Sequence, residues 1–120
     1  MIALGYYEMF MYDEWVEEIN EVVNYYELNQ DNLQLADIYK QIADIYAEHH
    51  QEEMMIEYYS RASSIFLKIS TDCVEEKKHE EAIQYLEKGI DCNRKGYRGQ
   101  ANTDLAYLLN KLAMVHNVKG

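Results

Sequence analysis

The chain has 120 residues, 48% of them hydrophobic, which is enough for one domain with a modest core. Its formal net charge of −11 argues against a broad phosphate-binding surface, so we expect neither DNA nor RNA as a partner. No apolar run approaches the roughly 20 residues of a membrane span, and residues 1–4 lack the basic start of a signal peptide, so we expect a cytoplasmic protein without a membrane partner.

The composition favours helix over sheet. The chain has no Pro and only five Gly, and it is rich in Leu, Ala, Glu, Gln, Met and Tyr. Residues 1–11 and 14–28 are predicted as a first helical pair, with a loop at 29–32. Residues 33–47 place their apolar side chains largely three and four positions apart, which predicts an amphipathic helix. We therefore predict an all-α fold.

The second half of the chain continues the helical pattern. A helix beginning near Glu53 carries an apolar face too wide for a lone surface helix, which indicates packing on two sides, as in stacked helical hairpins. Residues 79–93 are predicted as the next helix and 93–99 as a loop. The last helix is predicted over 100–118, with an apolar stripe made of Leu105, Leu108, Leu109, Leu112, Ala113 and Val115.

The stretch 63–78 raises the question of whether the chain turns there, because it contains neither Gly nor Pro. We expect the helix from Glu53 to run on to about Glu76, a length of about 36 Å at about 1.5 Å per residue. The alternative is a break at Ser70–Asp72, since Asp72 followed by Glu75 can form a capping box. A continuous helix would hold residues 1–65 and 70–120 at opposite ends of a rod.

The charge is divided unevenly along the chain. Residues 1–60 hold fourteen Asp or Glu against Lys40 alone, a charge of −13, while residues 61–120 hold eight acids against ten bases, a charge of +2. We treat 1–120 as one domain with an acidic half, 1–65, and a basic half, 70–120. Exchange of these halves between two chains would bury both, so we predict a homodimer. The alternative is an acidic face that is simply solvated.

An internal repeat is present in the helical pairs. Its fullest copy has the following residues: Tyr39, Ile42, Ala43, Tyr46, Met55, Tyr59 and Ala62. This is the spacing of the tetratricopeptide signature, in which small residues allow paired helices to approach and aromatic residues fill the space between pairs. We therefore predict tetratricopeptide-like stacked helical hairpins.

Three longer segments resemble one branch of tetratricopeptide proteins. They are "LGYYEMFMYDEWVEEI", "QIADIYAEHHQEEMMIEYYSRASSIF" and "LLNKLAMVHNVKG". They are similar to the repeat domain of the Rap-type regulators, the peptide-pheromone receptors and response-regulator aspartate phosphatases of Bacillus-like bacteria. That family carries its phosphatase contacts on an N-terminal three-helix bundle. The resemblance covers the repeats alone, so we expect no enzymatic activity.

The resemblance implies where a ligand would bind. In such arrays the first helix of each pair lines the concave surface, so the outward positions of those helices are the expected peptide-binding residues: Asp37, Lys40, Asp44, Glu48, Tyr107, Asn110, Met114 and Asn117. Asn110 lies where the resembling receptors use an asparagine to hold a peptide backbone. The carboxylates of the first helix favour a short basic peptide. A regulator or phosphatase of a response regulator, and a self-associating fragment without a ligand, remain alternatives.

The sequence offers little support for catalysis or cofactors. His49 and His50 are adjacent, so they project about 100° apart on a helix and cannot easily chelate one metal ion. Glu76 and His79 have the spacing of a di-iron ligand pair, but no second such motif exists. Cys73 and Cys92 are expected to be reduced core residues. We predict no metal, no cofactor and no catalytic residue.

Overall fold

The computed structural model describes Trp15 and residues 17–119, and these residues are helical with no strand. Residues 17–28 form α1. Four further helices follow, namely α2 over Asn32–Glu48, α3 over Glu52–Glu75, α4 over His79–Gly96 and α5 over Thr103–Lys119. The all-α prediction is confirmed. The predicted helix over 1–11 lies outside the described residues.

The internal contacts divide the chain into two compact units, Met1–Asp31 and Asn32–Gly120. The division falls in the predicted loop at 29–32. In the first unit, α1 buries Val23 and leaves Val22, Tyr25 and Leu28 exposed. A single domain over 1–120 stays a prediction.

The hairpin of α2 and α3 is held by tyrosines and small residues. The buried side chains of α2 recur every three or four positions, and Ala36 and Ala43 among them have no exposed surface. These small side chains let the two helices approach closely. The ring of Tyr58 on α3 packs against those of Tyr39 and Tyr46 on α2, at centroid distances of 5.7 and 5.5 Å. The residues of the repeat signature therefore serve largely to pack α2 against α3.

The third helix is continuous, as predicted. It extends over 24 residues from Glu52 to Glu75, because no Gly or Pro interrupts its apolar face. The predicted consequence of a rod is wrong. The chain turns at residues 76–78, and α4 packs back against α3. A Cβ on Gly96 would lie 3.1 Å from the Cβ of Tyr59, which shows how closely the two helices approach.

The turn after α3 is made without glycine by a left-handed residue. Lys77 has φ +63°, and the N–H of Lys78 donates to the Cys73 carbonyl at 2.7 Å, which is the Schellman closure of a helix. The same arrangement ends α2, where His50 has φ +59° and Gln51 donates to Tyr46. Glycine is the residue expected at such a position. Lys77 and His50 adopt the left-handed torsion instead, at some cost in free energy.

The fifth helix completes the unit by packing on α4. Asn102 caps it, because its side-chain oxygen accepts a hydrogen bond of 2.9 Å from the Leu105 N–H. The Asn102 amide also exchanges two hydrogen bonds with the buried amide of Asn93 on α4. A core cluster unites α4 and α5 with the end of α3, and its buried members are Cys73, Ala82, Ile83, Leu86, Ile90, Leu105, Leu108 and Val115. Burial of these side chains by the hydrophobic effect completes a core within a single chain. Residues 32–119 therefore need no exchange of halves between two chains to bury these apolar side chains.

Candidate functional site

A groove is formed where α3 and α5 lie on the same side of α4. Two pockets follow one another along it, and each is lined by all three helices. The stretches Ser60–Val74 of α3 and Asp104–Val118 of α5 border it, and each spans about 21 Å at about 1.5 Å per residue. We call it the α3–α5 groove; its lining residues are Ser60, Ser63, Ser64, Leu67, Ser70, Thr71, Val74, His79, Leu86, Asn93, Asp104, Tyr107, Leu108, Lys111, Met114, Val115 and Val118.

The pocket towards the end of α5 is apolar and has a volume of about 120 Å³. Its walls are mainly aliphatic or thioether side chains, namely Val74, Leu86, Met114, Val115 and Val118. An engineered cavity of about 150 Å³ in another protein holds benzene, so this pocket has room for roughly one large apolar side chain. It is the type of pocket that receives an anchor residue of a bound segment.

The pocket towards the start of α5 is smaller and polar, with a volume of about 50 Å³. Three serines of α3 line it, and Asp104 stands at its edge in the first turn of α5. The Ser63 hydroxyl donates to the Gly89 carbonyl at 3.0 Å, and Asn93 is paired with Asn102. These internal hydrogen bonds satisfy the deepest polar groups. The groove thus has one polar end and one apolar end.

Lys111 places a positive charge between the two pockets of the groove. Its ammonium lies 5.6 Å from the centroid of the Tyr107 ring, within cation–π range. Among the described residues Lys111 forms no salt bridge, and no carboxylate lines the apolar pocket beside it. His79 lines the same pocket from α4. A carboxylate of a bound segment would therefore meet Lys111 at the rim.

The α5 wall of the groove exposes large apolar side chains, whereas the solvent-facing side of a surface helix usually carries polar ones. Tyr107, Met114 and Val118 are 51%, 53% and 65% exposed. They lie on one face, because their spacings of seven and four residues match whole turns of a helix. Large apolar side chains exposed together on one helix face are typical of a site of protein or ligand contact.

Four of the predicted site residues lie on α5, and the structure separates them into two pairs. Tyr107 and Met114 line the α3–α5 groove. Asn110 and Asn117 are exposed and line neither of its pockets. An asparagine clamp at Asn110 would therefore act outside this groove.

The four predicted residues of α2 lie in a different place. Asp37 and Lys40 border a cavity of about 80 Å³ whose other walls come from α3 and α4. The Asp44 carboxylate accepts a hydrogen bond from the Tyr59 hydroxyl of α3, and Glu48 is exposed at the end of α2. Burial, followed by the hydrogen bond and charge of Asp44, raises the pKa of Tyr59 well above its ordinary value. Asp37 and Lys40 therefore border one cavity, whereas Asp44 is engaged in a contact within the chain.

The hairpin of α2 and α3 carries a second, wider depression of about 480 Å³, lined by Leu35, Tyr39, Glu57, Ser60, Arg61, Ser64 and Ile65. The Arg61 guanidinium stacks over Tyr58 at 4.8 Å from the ring centroid and pairs with Glu57 at 2.8 Å. These contacts already engage its charged groups. The depression is more open to solvent than the apolar pocket of the α3–α5 groove.

Sequence reasoning missed Lys111, Val118 and the α3 wall of the groove. The signal for α5 was present, because this helix has apolar residues on more than the one stripe that packs on α4. No such signal exists for the α3 wall. Its residues join the groove only because α4 folds back beneath them.

Two negative findings concern other kinds of site. Within the described part of the chain, no group of three or more His, Cys, Asp or Glu residues is arranged to hold a metal ion. No helix there is long and apolar enough to cross a membrane.

Comparison with protein-family models, with curated proteins and with solved structures finds no match.

Proposed function

We propose that this chain is a non-enzymatic binding module that takes a segment of a protein or a peptide in the α3–α5 groove. The observation that carries the proposal is the coincidence of the exposed Tyr107, Met114 and Val118 with an apolar pocket of about 120 Å³. Interfaces derive most of their binding free energy from a few aromatic and apolar anchors in such pockets.

The shape of the groove favours a helical segment. Two helices form its walls, and its length of about 21 Å corresponds to about 14 helical residues. An amphipathic helix would present apolar residues three, four and seven positions apart to this groove, as in other helix-in-groove complexes. Full burial of one large apolar side chain contributes about 1.5–3 kcal/mol to the free energy of binding. The translational and rotational freedom that is lost on association costs about 4–15 kcal/mol. A segment anchored by only a few such side chains should therefore bind weakly.

We also propose, on the resemblance of the repeat segments, that the module is a cytoplasmic tetratricopeptide-like relative of the Rap-type peptide receptors. The support is the repeat signature and the closely packed succession of α2, α3, α4 and α5. A basic peptide along α2 has less support, because the Asp44 carboxylate already accepts the Tyr59 hydrogen bond and Asp37 borders a cavity of about 80 Å³.

Selection from a library of displayed 14-residue peptides tests the proposal. Enriched peptides would be titrated by calorimetry into the unmodified protein and into the Met114→Glu variant, whose charge enters the apolar end of the groove. We expect at least about tenfold weaker binding to Met114→Glu, or about 1.4 kcal/mol.

Ala113→Glu is the matched control, because Ala113 is exposed on α5 and lines neither pocket of the groove. Binding to it should stay within about twofold of the unmodified protein. The proposal is wrong if no peptide is enriched, or if Ala113→Glu weakens binding while Met114→Glu does not. Circular dichroism would verify that both variants remain helical.

A further inference from the structure

The first helix of the chain carries a surface that complements the groove. Val22, Tyr25 and Leu28 are exposed, Leu28 to 85%, although all three are large and apolar. Their spacing of three residues places them on one side of α1. Glu18 and Glu21 lie on the same side, because Glu18 is four residues before Val22 and Glu21 is four residues before Tyr25. The exposed side of α1 is therefore that of an acidic amphipathic helix.

We propose that the segment bound in the α3–α5 groove is α1 of a second copy of this chain. This inference rests on the proposed function of the groove and names its partner. Every copy has both surfaces, so each can place its α1 in the groove of the other. Two reciprocal contacts close a symmetric dimer, the commonest form of soluble homo-oligomer.

The dimensions of the two surfaces agree. Helix α1 has twelve described residues, 17–28, and a length of about 18 Å, against about 21 Å for the groove. The stripe from Val22 to Leu28 extends over about 9 Å, so its three side chains reach from the apolar pocket towards Tyr107. The apolar pocket has room for one of these side chains.

Charge decides the direction of the bound helix. The apolar pocket has Lys111 at its rim, whereas the polar pocket has Asp104. If α1 runs antiparallel to α5, Glu18 and Glu21 lie at the apolar end of the groove, which Lys111 lines, and away from Asp104. This direction also places Val22 at the apolar pocket. The opposite direction brings like charges together at the Asp104 end, which disfavours it.

The overall charge of the chain supports association between copies. Residues 1–60 carry −13 and residues 61–120 carry +2. Contact between the first part of one copy and the second part of another brings the acidic region to the less acidic one, whereas contact between two first parts would be repelled. The same imbalance predicts that the dimer weakens as salt is added.

Size-exclusion chromatography with light scattering over a range of protein concentrations tests the inference on the full chain. We expect a mass approaching twice 14.2 kDa at high concentration. Lys111→Glu and Glu21→Lys should each weaken dimerisation about tenfold, because each places like charges together. The double variant carrying both changes should recover most of the loss, since it restores an opposite pair with reversed signs.

Ala113→Glu and Asn20→Lys serve as controls, because they change charge at exposed positions of the same two helices, away from the proposed contact. They should leave the dissociation constant within about twofold. A chain that stays at 14.2 kDa at every concentration overturns the inference. So does a dimer that neither charge reversal weakens, or one that the double variant does not restore.

The peptide selection separates this failure from that of the proposed function. A monomeric chain whose groove still binds selected peptides in a Met114-dependent way keeps the proposed function and loses the self-association. A monomeric chain that enriches no peptide loses both.

Discussion

The hydroxyl of Tyr59 on α3 donates a hydrogen bond to the carboxylate of Asp44, fifteen residues earlier on α2. Tyr59 is buried and Asp44 is half-buried, so the bond joins the two helices at a site that water reaches only from one side. The carboxylate thereby stabilises the hairpin of α2 and α3. This role differs from the ligand contact that its place in the sequence suggested.

Tyr59→Phe removes that hydrogen bond and keeps the ring. Hydrogen bonds to charged groups contribute about 1.5–3 kcal/mol, and the half-exposed Asp44 can recover part of this from water. We expect the free energy of unfolding to fall by about 1–2 kcal/mol, measured by urea denaturation. Tyr107→Phe is the control, because that side chain is exposed. Equal stabilities of the two variants would contradict the assignment.

Alkaline pH should destabilise the fold through its buried tyrosines. Burial is the largest cause that raises the pKa of Tyr59 and of Tyr46 above the ordinary value of 10.0. The folded chain therefore retains these protons at a pH where the unfolded chain loses them. Their contribution is complete below about pH 10 and is lost as the pH rises further.

The expected slope is a loss of about 1.4 kcal/mol per pH unit for each such tyrosine. Urea denaturation at pH 9, 10 and 11 measures it. In Tyr59→Phe the loss of unfolding free energy per pH unit above pH 10 should be smaller by the contribution of one tyrosine, about 1.4 kcal/mol. An unchanged slope would show that Tyr59 titrates normally in the folded chain.

Lys77→Gly should stabilise the chain. Lys77 adopts φ +63°, which costs an L-residue other than glycine about 1–2 kcal/mol, whereas glycine adopts it without strain. Glycine is also more flexible in the unfolded chain, so we expect a net gain of about 0.5–1 kcal/mol in urea denaturation.

Lys78→Gly removes the same charge one position later, where φ is −93°. No left-handed strain is relieved there, and glycine is accepted at the N-cap position that Lys78 occupies, so this variant should change the free energy of unfolding by at most about 0.3 kcal/mol. A gain from both substitutions would indicate an effect of charge instead of backbone torsion.

The Cys92 thiol should be nearly inert in the folded chain. It is 1% exposed, and burial raises its pKa to about 11, although the Lys40 ammonium opposes the rise. At pH 8 its thiolate fraction is about one-hundredth of that of a thiol with the ordinary pKa of 9.0. In the Cys73→Ser variant, labelling by a disulfide reagent should be at least about a hundredfold slower than in denaturant. Rapid labelling without denaturant would place Cys92 at the surface.

The helices could be predicted closely because their signal is local. Residues 33–47 and 53–76 were expected to be helical, and the structure has Asn32–Glu48 and Glu52–Glu75. Apolar spacing and the absence of Pro act within a few residues of each position. The burial of Cys73 and Cys92 was expected from the general tendency of free cysteines to be buried, and it is confirmed.

The turn at Lys77 could not be predicted in the same way. Lysine is not a turn residue, and it adopts a left-handed torsion here because the Schellman closure and the packing of α4 on α3 outweigh the local cost. That turn decides whether α3 ends in a hairpin or in a rod, so the tertiary contacts reversed the expected topology.

Some features of the candidate site could likewise be predicted from the sequence, whereas others depend on the tertiary structure. The sequence by itself determined that Tyr107 and Met114 would be exposed on the last helix, because their positions follow from the helical period. Only the tertiary structure decided that Lys111, Val118 and the serine-lined face of α3 meet them across one groove, and that Asp44 binds Tyr59. Periodicity determines which side chains share a face of one helix, whereas the meeting of two faces depends on long-range burial that no local pattern encodes.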